Sequence, residues 1–321
     1  MISDELRALL LKQKYKLIGR NAGVKLCTWT KHSLRGKGAC YKEKFYGISS
    51  HRCLQMAPAI NVCSHNCVFC WRATQFTQTK VYDPDEPAEI IDRAIDAQRM
   101  LLSGFGGFEG VDKQKLKEAY NPNQVAISLS GEPTLYPYLP ELITRFMQRN
   151  FTTFVVSNGT NPQMLERIKP TQLYITLPAP NEEIYKKTCQ PLIMDGWKKI
   201  NESLDILHDK SARRARTVAR LTLVRNINML DPKGYAKLIE KYLPMYVEAK
   251  AYMAVGFSRQ RLGMNFMPNH AEIVEFAQKL AEETGYIITD EQTPSRVVLL
   301  ARDDAAAKRR LISDGEKESH R

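Results

Sequence analysis

The chain has 321 residues, enough for one large α/β domain or two small ones. Apolar residues make up 43% and charged residues 26%, which excludes general disorder. No apolar run reaches the roughly 20 residues of a membrane span, Met1–Leu6 has no signal-peptide profile, and the net charge of +12 points to a polyanionic partner. A cytosolic protein with no membrane contact is expected.

The charge is concentrated at the N-terminus. Residues 1–53 hold 12 Lys and Arg against 3 Asp and Glu, so +9 of the total +12. Tyr15, Trp29, Tyr41, Phe45 and Tyr46 are interleaved with these cations, a pattern suited to phosphate contact and base stacking. Six of the seven cysteines lie between residues 27 and 70. In a cytosolic chain such clustering points to metal or redox ligation. Cys27, Cys40 and Cys53 are each separated by 12 residues. Cys189 stands apart and reads as a buried small hydrophobe.

A first strand over 56–62 leads into Cys63-Ser64-His65-Asn66-Cys67-Val68-Phe69-Cys70. Three thiolates within eight residues can hold three corners of a 4Fe-4S cube, which leaves one iron open. The same three with His65 can also hold zinc, and spacing alone does not separate the two. A helix opened by Pro87 follows, then a glycine-rich loop over 103–110 that reads as a flexible connection. Strands are expected at 125–129, 153–156, 173–177, 218–224 and 247–255, alternating with helices at about 137–148, 162–168, up to 207, and 232–242. Asn269 and Glu272 have capping-box spacing at the head of a further helix, with Gly285 past its end. Segments 287–289 and 297–301 look like a closing addition, and 302–321 like a charged tail. Six βα units imply a parallel sheet covered by helices, with function at the C-terminal strand ends. Polar signals fall there: Ser130-Gly131-Glu132 after the second strand, Ser157-Asn158 after the third, and more weakly 253–259 after the sixth.

The cysteine loop, with Phe69 before its last cysteine, resembles the hallmark of the radical S-adenosylmethionine (SAM) enzymes. That resemblance implies a partial (β/α)6 TIM-like barrel over 56–301, with an N-terminal cysteine-containing basic extension over 1–55 and a tail over 302–321. It implies a cluster on Cys63, Cys67 and Cys70 whose open iron chelates SAM. Ser130, Gly131 and Glu132 then stand in the place of the segment that binds the SAM amino group, and Ser157 and Asn158 in that of contacts to its ribose or carboxylate.

The earlier cysteine array, with Arg52-Cys53-Leu54-Gln55-Met56-Ala57-Pro58 and Ser130–Pro137, resembles the 4-demethylwyosine synthases of the wybutosine tRNA-modification pathway, in their short archaeal form. The resemblance implies condensation of pyruvate with N1-methylguanosine at position 37 of tRNA-Phe, driven by a 5′-deoxyadenosyl radical that takes hydrogen from the N1-methyl group. It assigns Cys27, Cys40 and Cys53 to a second 4Fe-4S cluster, and it implies an external electron donor of flavodoxin or ferredoxin type. A monomer is expected. A lysine of lowered pKa can form a Schiff base with a ketone; Lys42 is the first choice and Lys44 the second, against phosphate binding by both. The alternatives are a radical-SAM enzyme acting on another RNA base or a small molecule, and a zinc-stabilised RNA-binding protein without catalysis.

Overall fold

The computed structural model describes residues 2–212 and 216–312. Ten strands form one sheet: β1 (Lys16–Leu17), β2 (Gly23–Val24), β3 (Cys53–Ala57), β4 (Gln124–Ile127), β5 (Thr152–Ser157), β6 (Gln172–Thr176), β7 (Thr217–Leu223), β8 (Tyr246–Ala251), β9 (Ile287–Gln292) and β10 (Val297–Ala301). Their order is β1-β2-β3-β4-β5-β6-β7-β8-β10-β9. Strands β3 to β8 are parallel to their neighbours, and both edges are antiparallel. The helices are α1 (Asp4–Lys12), α2 (Thr28–Leu34), α3 (Tyr41–Tyr46), α4 (Pro87–Leu102), α5 (Lys113–Ala119), α6 (Leu139–Gln148), α7 (Pro162–Arg167), α8 (Glu182–Cys189), α9 (Gly196–Ala212), α10 (Pro232–Tyr242), α11 (Ser258–Arg261), α12 (His270–Thr284) and α13 (Asp304–Lys308). This is the six-stranded partial barrel expected from the sequence.

The two faces of each strand explain the architecture. Alternate residues point to opposite sides. Outward positions such as Leu54, Val125, Val155, Ile175 and Leu221 join the apolar faces of α4, α6, α10 and α12 in one continuous core. Inward positions differ along the strands. Near the N-terminal ends, Phe154, Tyr174, Val218 and Tyr246 pack against Tyr41, Phe45 and Tyr46 of α3. Helix α3 therefore plugs the bottom of the barrel. Above it the inward residues become polar: Gln55, Ser128, Arg220 and Lys250 face cavities.

Several expectations change. The first strand ends at Ala57, so residues 58–62 already belong to the cysteine loop. Within residues 1–55, Gly23 and Val24 pair with Ala57 and Met56, which extends the sheet by two short strands. Tyr15, Tyr41, Phe45 and Tyr46 are buried core residues, so of the five aromatics interleaved with the basic residues only Trp29 retains appreciable exposure. The glycine-rich segment forms a single turn at Phe105–Gly107 and lines neither cavity described below. The capping box is formed as expected: Asn269 Oδ1 accepts from the Glu272 amide, and Glu272 from the Asn269 amide. Residues 313–321 of the expected tail lie outside the described residues. No helix among the described residues is long and apolar enough to cross a membrane.

Candidate functional site

The C-terminal ends of the parallel strands and the cysteine loop enclose an upper cavity of about 320 Å³. Cys63, Cys67 and Cys70 line one side of it. Their loop is tied down by its backbone: the Cys63 amide donates to Gln78 O at 2.8 Å and the Val68 amide to Thr188 O at 2.9 Å. Arg72, only 7% exposed, donates to His65 O at 2.7 Å and places a fixed cation beside the three sulfurs. Burial pushes the Cys63 thiol up to about 12, against the pull of Arg72. Burial raises Cys70 as well, whereas Cys67 is raised first by its bond to Cys189 and then by burial. These thiols need a strongly bound cation to release their protons.

The donor set discriminates between metals. Tetrahedral zinc with Zn–S near 2.3 Å brings its sulfurs to roughly 3.8 Å of one another. Among the described residues, the triplet of ligand atoms within 4.8 Å is His65, Cys67 and Cys189, not the three loop cysteines. His65 is turned into the core. Its Nε2 meets the Tyr185 hydroxyl at 2.7 Å, and burial lowers its pKa to about 3. It is not assembled with Cys63 and Cys70 as the zinc alternative required. Thiols spread around a cavity fit the larger iron–sulfur group.

Glu132 lies opposite, 2% exposed. Its Oε1 accepts from the Thr134 amide at 3.0 Å, the Thr134 hydroxyl at 2.6 Å and the Ser157 hydroxyl at 2.8 Å. Its Oε2 accepts from the Asn158 amide at 2.7 Å. Burial raises its pKa while these donors oppose the shift. With the Asn158 amide as its donor among the described residues, Oε2 retains capacity for an ammonium. Asn158 also donates to Ser64 Oγ at 2.8 Å, joining the strand end to the cysteine loop. Ser130 Oγ donates to Ile60 O. Gly131 is needed for packing: its φ is +75°, and a Cβ there would lie 2.2 Å from Ala59 O. The tight neighbour of that Cβ is the cysteine loop, and Gly131 also lines the upper cavity. Met253 and Val255 complete the wall after β8.

A lower cavity of about 260 Å³ is lined by Cys27, Cys40 and Cys53. Cys27 and Cys40 are the N-cap residues of α2 and α3, and Cys53 opens β3. Burial, then Cys27, pushes the Cys40 thiol up to about 12. The three sulfurs do not all lie within 4.8 Å of one another. Lys42 lines the same cavity, 8% exposed, its Nζ 5.0 Å from the Phe154 ring centre and 4.5 Å from that of Tyr174. Burial, then Arg220, lowers its pKa. Lys44 points away: its Nζ is held by Asp290 and by Glu291 O, both at 2.7 Å, with the side chain 52% exposed.

Sequence reasoning missed the groups that organise this cavity. Glu248 accepts from Tyr41 at 3.1 Å, Tyr46 at 2.8 Å and Arg220 Nε at 3.0 Å. The signal was present, because Arg220, Glu248 and Lys250 are charges inside otherwise apolar strands. Ser128, Val156, Arg220 and Lys250 line both cavities, so the two meet at one shared wall.

Comparison with known proteins agrees with this geometry. The pattern of the Radical SAM superfamily matches residues 58–239, and that of Wyosine base formation matches 241–302. The chain is 52% identical over 308 residues to the S-adenosyl-L-methionine-dependent tRNA 4-demethylwyosine synthase of Pyrococcus horikoshii, covering 94% of this chain and 89% of the relative. It is 40% identical to the synthase of the same name from Methanocaldococcus jannaschii, covering 95% of this chain and 98% of the relative. Among solved structures it is similar to TYW1 with a lysine-pyruvate adduct bound, at 40% identity and a TM-score of 0.86, covering 94% of this chain and 97% of that one.

Proposed function

The chain belongs to the S-adenosyl-L-methionine-dependent tRNA 4-demethylwyosine synthases of the radical SAM superfamily, and from that membership we propose how its two cavities divide the reaction. The upper cavity binds SAM, and the lower one binds pyruvate. Cys63, Cys67 and Cys70 hold the 4Fe-4S cluster that, once loaded and reduced, supplies the electron for SAM cleavage. Glu132 takes the SAM ammonium, and Ser157 and Asn158 fix that carboxylate and contact the rest of the ligand. Cys27, Cys40 and Cys53 hold a second cluster beside the keto acid. Lys42 attacks the ketone as a neutral amine and releases water as the imine forms. The lysine-pyruvate adduct of the TYW1 relative supports this role, and the outward-facing Lys44 does not compete for it. The RNA substrate is tRNA-Phe carrying N1-methylguanosine-37, the electron donor is an external flavodoxin or ferredoxin, and the enzyme works as a cytoplasmic monomer.

The observation that carries this reading is the shared wall. A radical made from an upper-cavity substrate lies across this shared lining from a ketone held below. The test is anaerobic incubation of the reconstituted protein with SAM, reductant, pyruvate and methylated tRNA, followed by nucleoside mass spectrometry. The tricyclic base is expected, with two carbons from labelled pyruvate. A product that forms equally well without pyruvate overturns the assignment of the lower cavity.

A further inference from the structure

We propose that Arg220 and Lys250 form a carboxylate clamp in the wall between the two cavities, gripping the carboxylate of a short α-keto acid so that its carbonyl carbon lies between Lys42 and the SAM cavity. This rests on the reading that the lower cavity takes pyruvate, and it names the residues that select a keto acid over other ketones.

The argument begins with strand register. Arg220 on β7 lies beside Glu248 on β8, and Thr222 beside Lys250, so Glu248 and Lys250 follow one another on the inward face. Arg220 is 16% exposed, and its guanidinium is only partly engaged. Its Nε and Nη2 contact Glu248 Oε2 at 3.0 Å, and Nη2 also meets the Tyr41 hydroxyl. Its Nη1 has no hydrogen-bond partner among the described residues, and the residue lines both cavities. Lys250 donates once, to Ser295 O at 2.6 Å, which leaves two of its three N–H bonds for an occupant.

Charge points the same way. Three cations, Lys42, Arg220 and Lys250, surround the region, and Glu248 is the buried carboxylate among them, already engaged by Arg220 and two tyrosines. The Cys40 sulfur also faces Lys42 and Lys250, and an anionic occupant adds a further partner for cations in this low-dielectric wall. Burial, then Arg220, pushes Lys250 down to about 8. A planar carboxylate bridging Arg220 Nη1 and Lys250 Nζ meets both needs. A neutral ketone meets neither.

The test uses the reconstituted enzyme and does not depend on turnover. Cyanoborohydride trapping of labelled pyruvate, with adduct mapping by peptide mass spectrometry, is compared with trapping of methyl pyruvate, which keeps the ketone and lacks the negative charge. In Lys250→Met, the pyruvate concentration for half-maximal trapping on Lys42 should rise about tenfold or more, with methyl pyruvate unchanged. Lys250→Arg should restore most of the preference. Iron content and thermal melting check that the variants fold. Equal weakening of both ketones makes Lys250 a strut for Ser295 and overturns the clamp, as does an unchanged half-saturation or an adduct on Lys250 itself. Failure of the wild-type protein to trap pyruvate anywhere overturns the pyruvate reading, which is a separate outcome.

Discussion

At the scale of the residue, the proposed chemistry rests on two buried side chains: burial lowers the pKa of Lys42, whereas at Glu132 the hydrogen-bond donors oppose the rise that burial causes. Burial, then the neighbouring Arg220, lowers the pKa of Lys42 from 10.5, so more neutral amine is present at any given pH below that value. The amine is the nucleophile of the proposed imine step, and it appears as pH rises through the folded-state pKa. Trapping of pyruvate on Lys42 should therefore increase with pH and reach its half-maximal rate below pH 10.5. A midpoint at or above the value of a free lysine sinks the idea that burial activates it. Glu132 is the second case. Its carboxylate is held by Thr134, Ser157 and Asn158 and lines the upper cavity, where it is proposed to meet the SAM ammonium. Glu132→Gln removes that charge and turns an amide N–H toward at least one of the existing donors. SAM affinity should fall about tenfold or more, since a charge-assisted bond is worth about 1.5–3 kcal/mol, and the iron content should hold. Calorimetric titration with SAM decides this, and unchanged affinity removes Glu132 from the site.

At the scale of the element, the short helix α3 does more than its six residues suggest. Tyr41 and Tyr46 flank Lys42 on it and both donate to Glu248, which locks the helix against β8. Replacing Glu248 by Ala leaves the Arg220 guanidinium buried and unpaired, a loss of about 3–5 kcal/mol for a broken buried pair. Chemical denaturation should show a loss of that order, and pyruvate trapping on Lys42 should fall with it. Unchanged stability means that the plug is held by its aromatic packing alone. This element also marks the limit of sequence reading. The long elements were legible because their signals are local: Pro87 opens α4, Pro232 opens α10, and Asn269 with Glu272 caps α12. The parallel strands were legible as apolar runs, although β3 ends earlier than its apolar residues do. Helix α3 and the two-residue strands β1 and β2 are too short to show a period, and only their long-range partners define them. For the same reason the sequence grouped the six cysteines but did not reveal that Arg220 and Lys250, more than 150 positions away from most of them, close the same space.

At the scale of the whole molecule, the N-terminal surplus of positive charge divides into two populations, and sequence alone did not separate them. Lys42 is buried among aromatics, and Lys44 and Arg20 are paired with Asp290 and Asp83. Lys31 and Lys37 have no acidic partner among the described residues. Lys31 lies on α2, which begins directly after Cys27, and Lys37 on the exposed stretch that leads to Cys40, so both flank the lower cavity. A cation that meets RNA phosphates displaces condensed counterions. Its removal weakens binding and also flattens the dependence of log K on log salt, by roughly 0.7–0.9 for each phosphate no longer neutralised. A buried cation displaces none. Lys31→Ala with Lys37→Ala should therefore weaken tRNA binding at low salt and reduce the salt slope by about one to two, while pyruvate trapping on Lys42 stays intact. Lys42→Ala should do the opposite: tRNA affinity and slope unchanged, trapping abolished. Filter binding across a salt series, run beside the trapping assay, reads both. A full salt slope in the Lys31/Lys37 variant moves the RNA surface elsewhere on the chain, and a lowered slope in Lys42→Ala returns that lysine to the phosphate-binding role.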